Sequence, residues 1–401
     1  MHDAIALITK DVMMCDYLPV YGNQYWETPH IDALAKKGTV FRRHYTAAPS
    51  TAMAFTSMLT GIYPYRLERR KYEHVDDMQD AVTLFDDLEE RGYENHIIWS
   101  DNYVDETIPF SNCYGRNNTT IFHNLNLNQV IGPSMLVYTK LQRDDELTKK
   151  TMHSIMSTID EIFSRNKKVF LWIHLPHVLL GRVAYGDDID LMDQVVGHVR
   201  NYVSDEDMFI SADHGHMNGS HGILGYAFDV YEPAIRIPLI SPRMEGKTEV
   251  TFPTSNVQLA QMILERTISQ DEYVYSDCAY FAQPHRKLAI IKGNFKYIYN
   301  KASKSEELYD LEFDPREDVN LLHYFHTDKS RMLRYAVRDV HFNPHWDEVQ
   351  AIVEELRNRK DEIWRVGTFK EEMFFKFRKA ATVPYHFFEW ILKSIRRKLA
   401  H

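Results

Sequence analysis

The sequence predicts an α/β fold with a mostly parallel central sheet flanked by helices. Short apolar runs recur along the chain with helix-like stretches between them, the alternation that yields parallel strands covered on both faces. A length of 401 residues, 44% of them hydrophobic and 26% charged, allows one large domain with a smaller appendage.

The first run, Ala4 to Thr9, reads as a buried strand. "TPHIDALAKKG" follows as a helix, with Thr28 as N-cap, Pro29 at the first helical position and Gly38 just past the end. Next comes "YTAAPSTAMAFTSMLTGIYPY", in which Thr51 opens a helix over 52–60 that Gly61 and Pro64 stop. Helices are expected over 80–91 and 144–165, and strands at "NHIIWS" (95–100), "KVFLWIH" (168–174) and "DMFISAD" (207–213).

Charge and cysteine content narrow the function. A formal charge of −10 gives no basic excess for nucleic acid. Three scattered cysteines, Cys15, Cys113 and Cys278, make neither a disulfide framework nor a thiolate metal cage, which fits a reducing cytoplasm. The first residues read as a core strand rather than a secretion signal, so the sequons at Asn117, Asn118 and Asn218 are expected to be accidental. No window reaches the roughly 20 apolar residues of a membrane span.

In parallel sheets ligands gather beyond the carboxyl ends of the strands. Asp11 closes the first strand, Asp213 and His214 close the strand 207–213, and Thr51 opens its helix. Taken singly, each acid is an ordinary turn residue and Thr51 an ordinary cap. Together, two carboxylates and an imidazole suit a divalent ion such as Zn²⁺, Mn²⁺ or Mg²⁺. Such an ion, with a helix N-terminus, would activate an otherwise poorly nucleophilic threonine hydroxyl.

Several segments resemble the sulfatase branch of the alkaline phosphatase superfamily over about residues 4–325. These are "LITKDVMMCDYLPVYGN", "TPHIDALAKKGTVFRRHYTAAPSTAMAFTSMLTGIYP", "FLWIHLPH", "ISADHGHMNGSHGILG" with "YEPAIRIPLI", and "LAIIKGNFKYIYNKASKSEELYDLEFDPREDVNLL". The resemblance implies a catalytic α/β domain over 1–265 and a small antiparallel C-terminal subdomain over 266–325. It places Asp11, Thr51, Asp213 and His214 at metal-ligand positions, with Mn, Zn, Mg or Ca as the ion. Thr51 falls on the nucleophile position, and His177 and His221 on histidines that contact substrate or assist the leaving group. His174 is expected to be structural, His216 a neighbour rather than a ligand, and Arg236 either a site-orienting group or half of an ion pair.

The chain also departs from the usual sulfatase pattern. Formylglycine forms from cysteine or serine, which threonine cannot replace. Phe55 stands where an arginine is usual, Val12 where a second acid is usual, and no lysine lies between His221 and Arg236. These departures resemble the phosphoglycerol and phosphoethanolamine transferases, in which a metal-activated threonine attacks a phosphodiester and passes the group to a sugar hydroxyl or to water. The expectation is therefore a metal-dependent phosphoester transferase or hydrolase acting through a phospho-threonine on a small-molecule, glycan or lipid ester. The alternatives are a sulfatase of nonstandard mechanism and a noncatalytic sulfatase-like binding subunit.

Two segments lie outside this reading. "YGDDIDLMDQVVGH" gathers Asp187, Asp188, Asp190, Asp193 and His198, a solvated helix start in preference to a second metal site. Residues 326–401 form a helical, basic-aromatic extension. An amphipathic helix in it presents Trp346, Val349, Ile352, Val353 and Leu356, and a tail follows that interleaves Phe374, Phe375 and Trp390 with lysines and arginines. That tail fits packing on the domain, self-association, or peripheral contact with the inner membrane face.

Overall fold

A computed structural model describes residues 2–66, 81–99, 119–123, 145–165, 168–175, 185–278, 286–324 and 346–364. The first half of the chain contains β1 (Asp3–Lys10), α1 (Pro29–Lys37), β2 (Thr39–Tyr45), α2 (Thr51–Thr60), α3 (Leu84–Glu90), β3 (Glu94–Trp99), β4 (Thr119–His123), α4 (Asp145–Arg165), β5 (Lys168–Leu175) and α5 (Tyr185–Val199). Then come β6 (Met208–Ala212), β7 (Met217–Asn218), β8 (Leu224–Gly225), α6 (Glu232–Ile235), β9 (Arg236–Ser241), β10 (Glu249–Val250), β11 (Thr254–Ser255) and α7 (Leu259–Glu265). The last elements are β12 (Val274–Asp277), β13 (Lys287–Lys292), β14 (Phe295–Asn300), β15 (Glu306–Asp310) and α8 (Trp346–Ile363).

The main sheet runs β10-β2-β9-β6-β1-β5-β3-β4, with β11 also on β2. Only β9 opposes its neighbours; the other pairs are parallel. The central strand β1 shows why its sequence is uninterruptedly apolar. Ala4, Ala6 and Ile8 pack among side chains of α1, α4 and α5, while Ile5 and Leu7 pack among those of α2, α3 and α7. Both faces are covered, so residues of either parity are apolar.

Local chemistry sets the helix ends. Thr28 occupies the N-cap position of α1, but its hydroxyl goes to Asp32 and caps nothing. The cap comes from another helix: Asp193 of α5 accepts from the backbone N–H groups of His30 and Ile31 at 3.0 and 2.8 Å. Gly38 is not in the left-handed region expected of a glycine past a helix end; its φ is −90°. It is glycine because a Cβ there would lie 2.0 Å from the Ser241 carbonyl oxygen. The helix expected over 80–91 begins only at Leu84, behind a capping box of Thr83 and Asp86.

A second sheet, β12-β13-β14-β15, is antiparallel throughout. Leu288, Ile290 and Tyr297 on one face receive Val349, Ile352, Val353 and Leu356 of α8, four of the five residues expected on that helix's apolar face. Ala289, Ile291 and Ile298 on the other face meet Val230, Tyr231 and Ile235 of the main domain. The tail over 365–401 lies outside the described residues, and among those residues no helix is long and apolar enough to cross a membrane.

Candidate metal centre and active site

Three chain segments meet at the carboxyl ends of β1 and β6. Asp11 follows β1, its N–H donating to the Leu175 carbonyl at 2.9 Å. Asp213 and His214 follow β6, which pairs with β1 in parallel, so both turns leave the sheet side by side. They are stitched together: Val12 N donates to Asp213 Oδ1 at 3.1 Å and Met13 N to the His214 carbonyl at 2.9 Å. Val12 takes φ +57° for this, a left-handed conformation that a β-branched residue rarely adopts. Gly215 must be glycine, because a Cβ would lie 2.0 Å from the Pro233 carbonyl oxygen.

Thr51 is not the cap of α2. Ser50 holds the N-cap position, and Thr51 is the first helical residue. Its hydroxyl turns instead to His214, with Oγ1 3.3 Å from Nε2. His214 Nδ1 lies 2.8 Å from the Gly215 carbonyl, which assigns the ring proton to Nδ1 and leaves the Nε2 lone pair facing Thr51 and the two carboxylates. Nε2 is 3.3 Å from Asp213 Oδ2 and 3.7 Å from Asp11 Oδ1.

Ligand atoms of Asp11, Asp213 and His214 lie within 4.8 Å of one another. Asp213 and His214 are 0% exposed and Asp11 6%, whereas Thr51 is half-buried. Burial pushes the Asp213 carboxyl up to about 6, and burial also holds the His214 imidazole below its ordinary value despite the Asp11 charge. Asp213 Oδ2 is buried without a hydrogen-bond partner. Two desolvated carboxylates, an imidazole lone pair and this unmatched oxygen in one corner fit a divalent cation. The buried Lys10 side chain donates from Nζ to the Asp11 carbonyl at 3.1 Å.

The other sequence-derived candidates sit elsewhere. His174 is buried in β5 with Nδ1 3.0 Å from Thr9 Oγ1, and burial holds it neutral, the structural role expected. His221 is exposed at the β7–β8 turn, its ring stacked on Tyr231 at 3.9 Å and its Nε2 3.1 Å from the Arg316 carbonyl. His216 is half-buried and is not one of the clustered ligands. Arg236 pairs with Asp16 at 2.7 Å and with Glu232 at 3.7 Å. In the acidic stretch, Asp193 serves as the α1 cap and His198 pairs with Asp160 at 2.7 Å. His177 lies outside the described residues. One neighbour escaped sequence reasoning: Tyr226, whose ring stacks on that of His214 with 4.7 Å between centroids and 29° between planes. A lone aromatic in a turn carries no periodic signal.

A family model described as "Sulfatase" matches residues 4–178, the part that supplies Asp11 and Thr51. The chain is sulfatase-like. An arylsulfatase of Clostridium perfringens is 32% identical over 127 residues, which span 32% of this chain and 24% of the relative. A choline-sulfatase of Rhizobium meliloti is 28% identical over 220 residues, 47% of this chain and 42% of the relative. The chain thus matches less than half the length of either relative. Among solved structures, a 2-O GAG sulfatase superposes with a TM-score of 0.65 at 14% identity, covering 92% of this sulfatase-like chain and 94% of the other. A phosphonate monoester hydrolase of Agrobacterium radiobacter superposes at 0.57 and 15%, covering 84% and 94%. At such identities these superpositions speak for the fold: a sulfatase-type α/β fold with its small antiparallel sheet.

Proposed function

We propose that the protein is a metal-dependent phosphoester transferase or hydrolase in which Thr51 is the nucleophile. The observation that carries this reading is the Thr51 hydroxyl, free of any capping role, 3.3 Å from the lone-pair nitrogen of His214 and at the mouth of the Asp11–Asp213 corner. Asp11, Thr51, Asp213 and His214 would hold the ion. Once bound, it would lower the pKa of the hydroxyl and offset charge on the ester oxygens.

The chain's own groups carry the remaining steps. Thr51 gives up its hydroxyl proton to solvent, and its Oγ, at the positive end of the ten-residue helix α2, forms a new P–O bond in line with the departing alkoxide. The bond to that alkoxide breaks, and the alkoxide takes a proton from an imidazole, for which His221 and His177 are the proposed donors. His221 would do so without leaving its stack on Tyr231, exchanging the Arg316 carbonyl for the alkoxide. Water or a substrate hydroxyl then attacks phosphorus, its proton returning to the imidazole, and the P–O bond to Thr51 breaks as Thr51 Oγ takes a proton from solvent. Phe55 supports a phosphoester over the usual sulfatase chemistry: its ring meets Trp172 at 4.7 Å and Trp99 at 5.7 Å, an apolar packing where sulfatases carry a cation.

A sulfate ester is the competing substrate, and the two curated relatives favour it by their names. The deciding experiment is peptide mass spectrometry of Mn²⁺- or Zn²⁺-loaded protein after exposure to an aryl phosphodiester and to glycerophospholipid donors, with aryl sulfate turnover assayed alongside. A phosphate-containing adduct on Thr51, lost in Thr51→Ala, establishes the mechanism. Aryl sulfate turnover that survives Thr51→Ala overturns it.

A further inference from the structure

The in-plane contacts of His214 are accounted for by Gly215 at Nδ1 and by Thr51, Asp213 and Asp11 around Nε2. Those contacts do not stop the ring from tilting out of its plane. Its face is covered by Tyr226, 4.7 Å away between centroids. Tyr226 directly follows β8 of the two-stranded hairpin β7–β8.

That hairpin is anchored at its far end. His221 adopts φ +55° at the tip, stacks within 5° of parallel on Tyr231 and bonds the Arg316 carbonyl. Tyr231 is itself fixed, its hydroxyl donating to Glu307 of β15 at 2.6 Å and the Lys287 ammonium lying 5.0 Å from its ring centroid. The small sheet therefore holds the hairpin, and the hairpin holds Tyr226 against the ligand.

We propose that Tyr226 is a positioning residue of the metal centre: its ring, braced through the hairpin by the small sheet, keeps His214 Nε2 aimed into the Asp11–Asp213–Thr51 corner. This rests on reading that corner as a metal site. Hydrogen-bonding groups that orient a metal-ligating histidine commonly shift metal affinity about 10- to 100-fold, and a stacked ring is expected to act at the low end of that range.

The test is Mn²⁺ titration of the full chain, followed by electron paramagnetic resonance, for wild type, Tyr226→Phe, Tyr226→Leu and Tyr226→Ala. Circular dichroism checks that each is folded. The Phe variant, which keeps the ring face, should bind within about twofold of wild type, while Leu and Ala should bind roughly 10-fold more weakly. The visible spectrum of the Co²⁺-loaded Leu variant should shift and that of the Phe variant should not. If the Ala variant does not fold, the Leu variant decides, since it keeps apolar bulk without a ring. Wild-type affinity in the folded Leu variant overturns the role of Tyr226, as does an equal loss in Phe and Leu. Wild-type protein that binds neither Mn²⁺ nor Zn²⁺ overturns the metal reading itself.

Discussion

Phe55 stands edge-on to His174, their ring centroids 4.8 Å apart and their planes at 90°. The wall of the site beneath Thr51 is thus neutral and aromatic, with Trp99 and Trp172 completing it. An arginine in place of Phe55 should not by itself confer sulfatase chemistry. Phe55→Arg would bury a guanidinium where Phe55 meets the rings of Trp99, Trp172 and His174, and a loss of about 3 kcal/mol or more in stability is expected from urea unfolding. Phe55→Leu, which stays apolar, should cost about 1 to 2 kcal/mol.

Truncating Ser50 or Thr51 should cost little stability, but truncating Thr51 should cost activity. The Ser50 side chain makes no capping bond, and its buried hydroxyl lacks a hydrogen-bond partner. Ser50→Ala should therefore change stability by less than about 0.5 kcal/mol, where a true cap would cost about 1. Thr51→Ala should be similarly mild in thermal unfolding, yet reduce kcat/KM on a phosphodiester by about 10³ or more.

Asp213 trades stability for ligation. Asp213→Asn keeps an acceptor for the Val12 and His214 amides while removing a desolvated carboxylate. The metal-free variant should melt above metal-free wild type. Wild type should gain about 2.7 kcal/mol at Mn²⁺ concentrations 100-fold above its dissociation constant, and the variant should gain little. Differential scanning calorimetry with Mn²⁺ and with a chelator measures both.

His44 gives the fold an acid weakness away from the site. It is fully buried, its Nδ1 2.9 Å from Thr254 Oγ1, and burial lowers its pKa from 6.5 to about 3. The unfolded chain takes up a proton below 6.5 that the folded chain refuses. The stabilising contribution is therefore complete above pH 6.5 and is lost as pH falls toward 3, by up to about 1.4 kcal/mol per pH unit. Urea midpoints at pH 7.5 and 5 should fall further apart for wild type than for His44→Gln, which keeps polarity without titrating.

How much of this was legible in the sequence depends on where the information sits. β1, β5 and β6 were plain because strands covered on both faces are continuously apolar. β2 was not, since "TVFRRHY" carries two arginines at its centre. The structure satisfies them: Arg42 pairs with Glu249, Arg43 bonds Asn294, and the register slips between Phe41 and His44. Asp11, Asp213 and His214 could be found because strand ends are where a parallel sheet offers ligands. That Thr51 lies inside its helix rather than capping it could not, because Ser50 and Thr51 are both good caps and only φ and ψ tell them apart. The left-handed Val12 and the Tyr226 stack depend on partners 201 and 12 residues distant, and no local pattern encodes them.

Those separations matter during synthesis. Val12 and Asp213 are joined across 201 positions, so the first half of the proposed ligand set leaves the ribosome long before the second. At about 5 to 20 residues per second, Asp11 and Thr51 wait roughly 10 to 40 s for His214. On the proposed metal reading, a divalent ion would bind only after β6 has paired with β1, locking a sheet already formed. Metal supply would then govern how long the finished protein persists and leave its rate of folding nearly untouched.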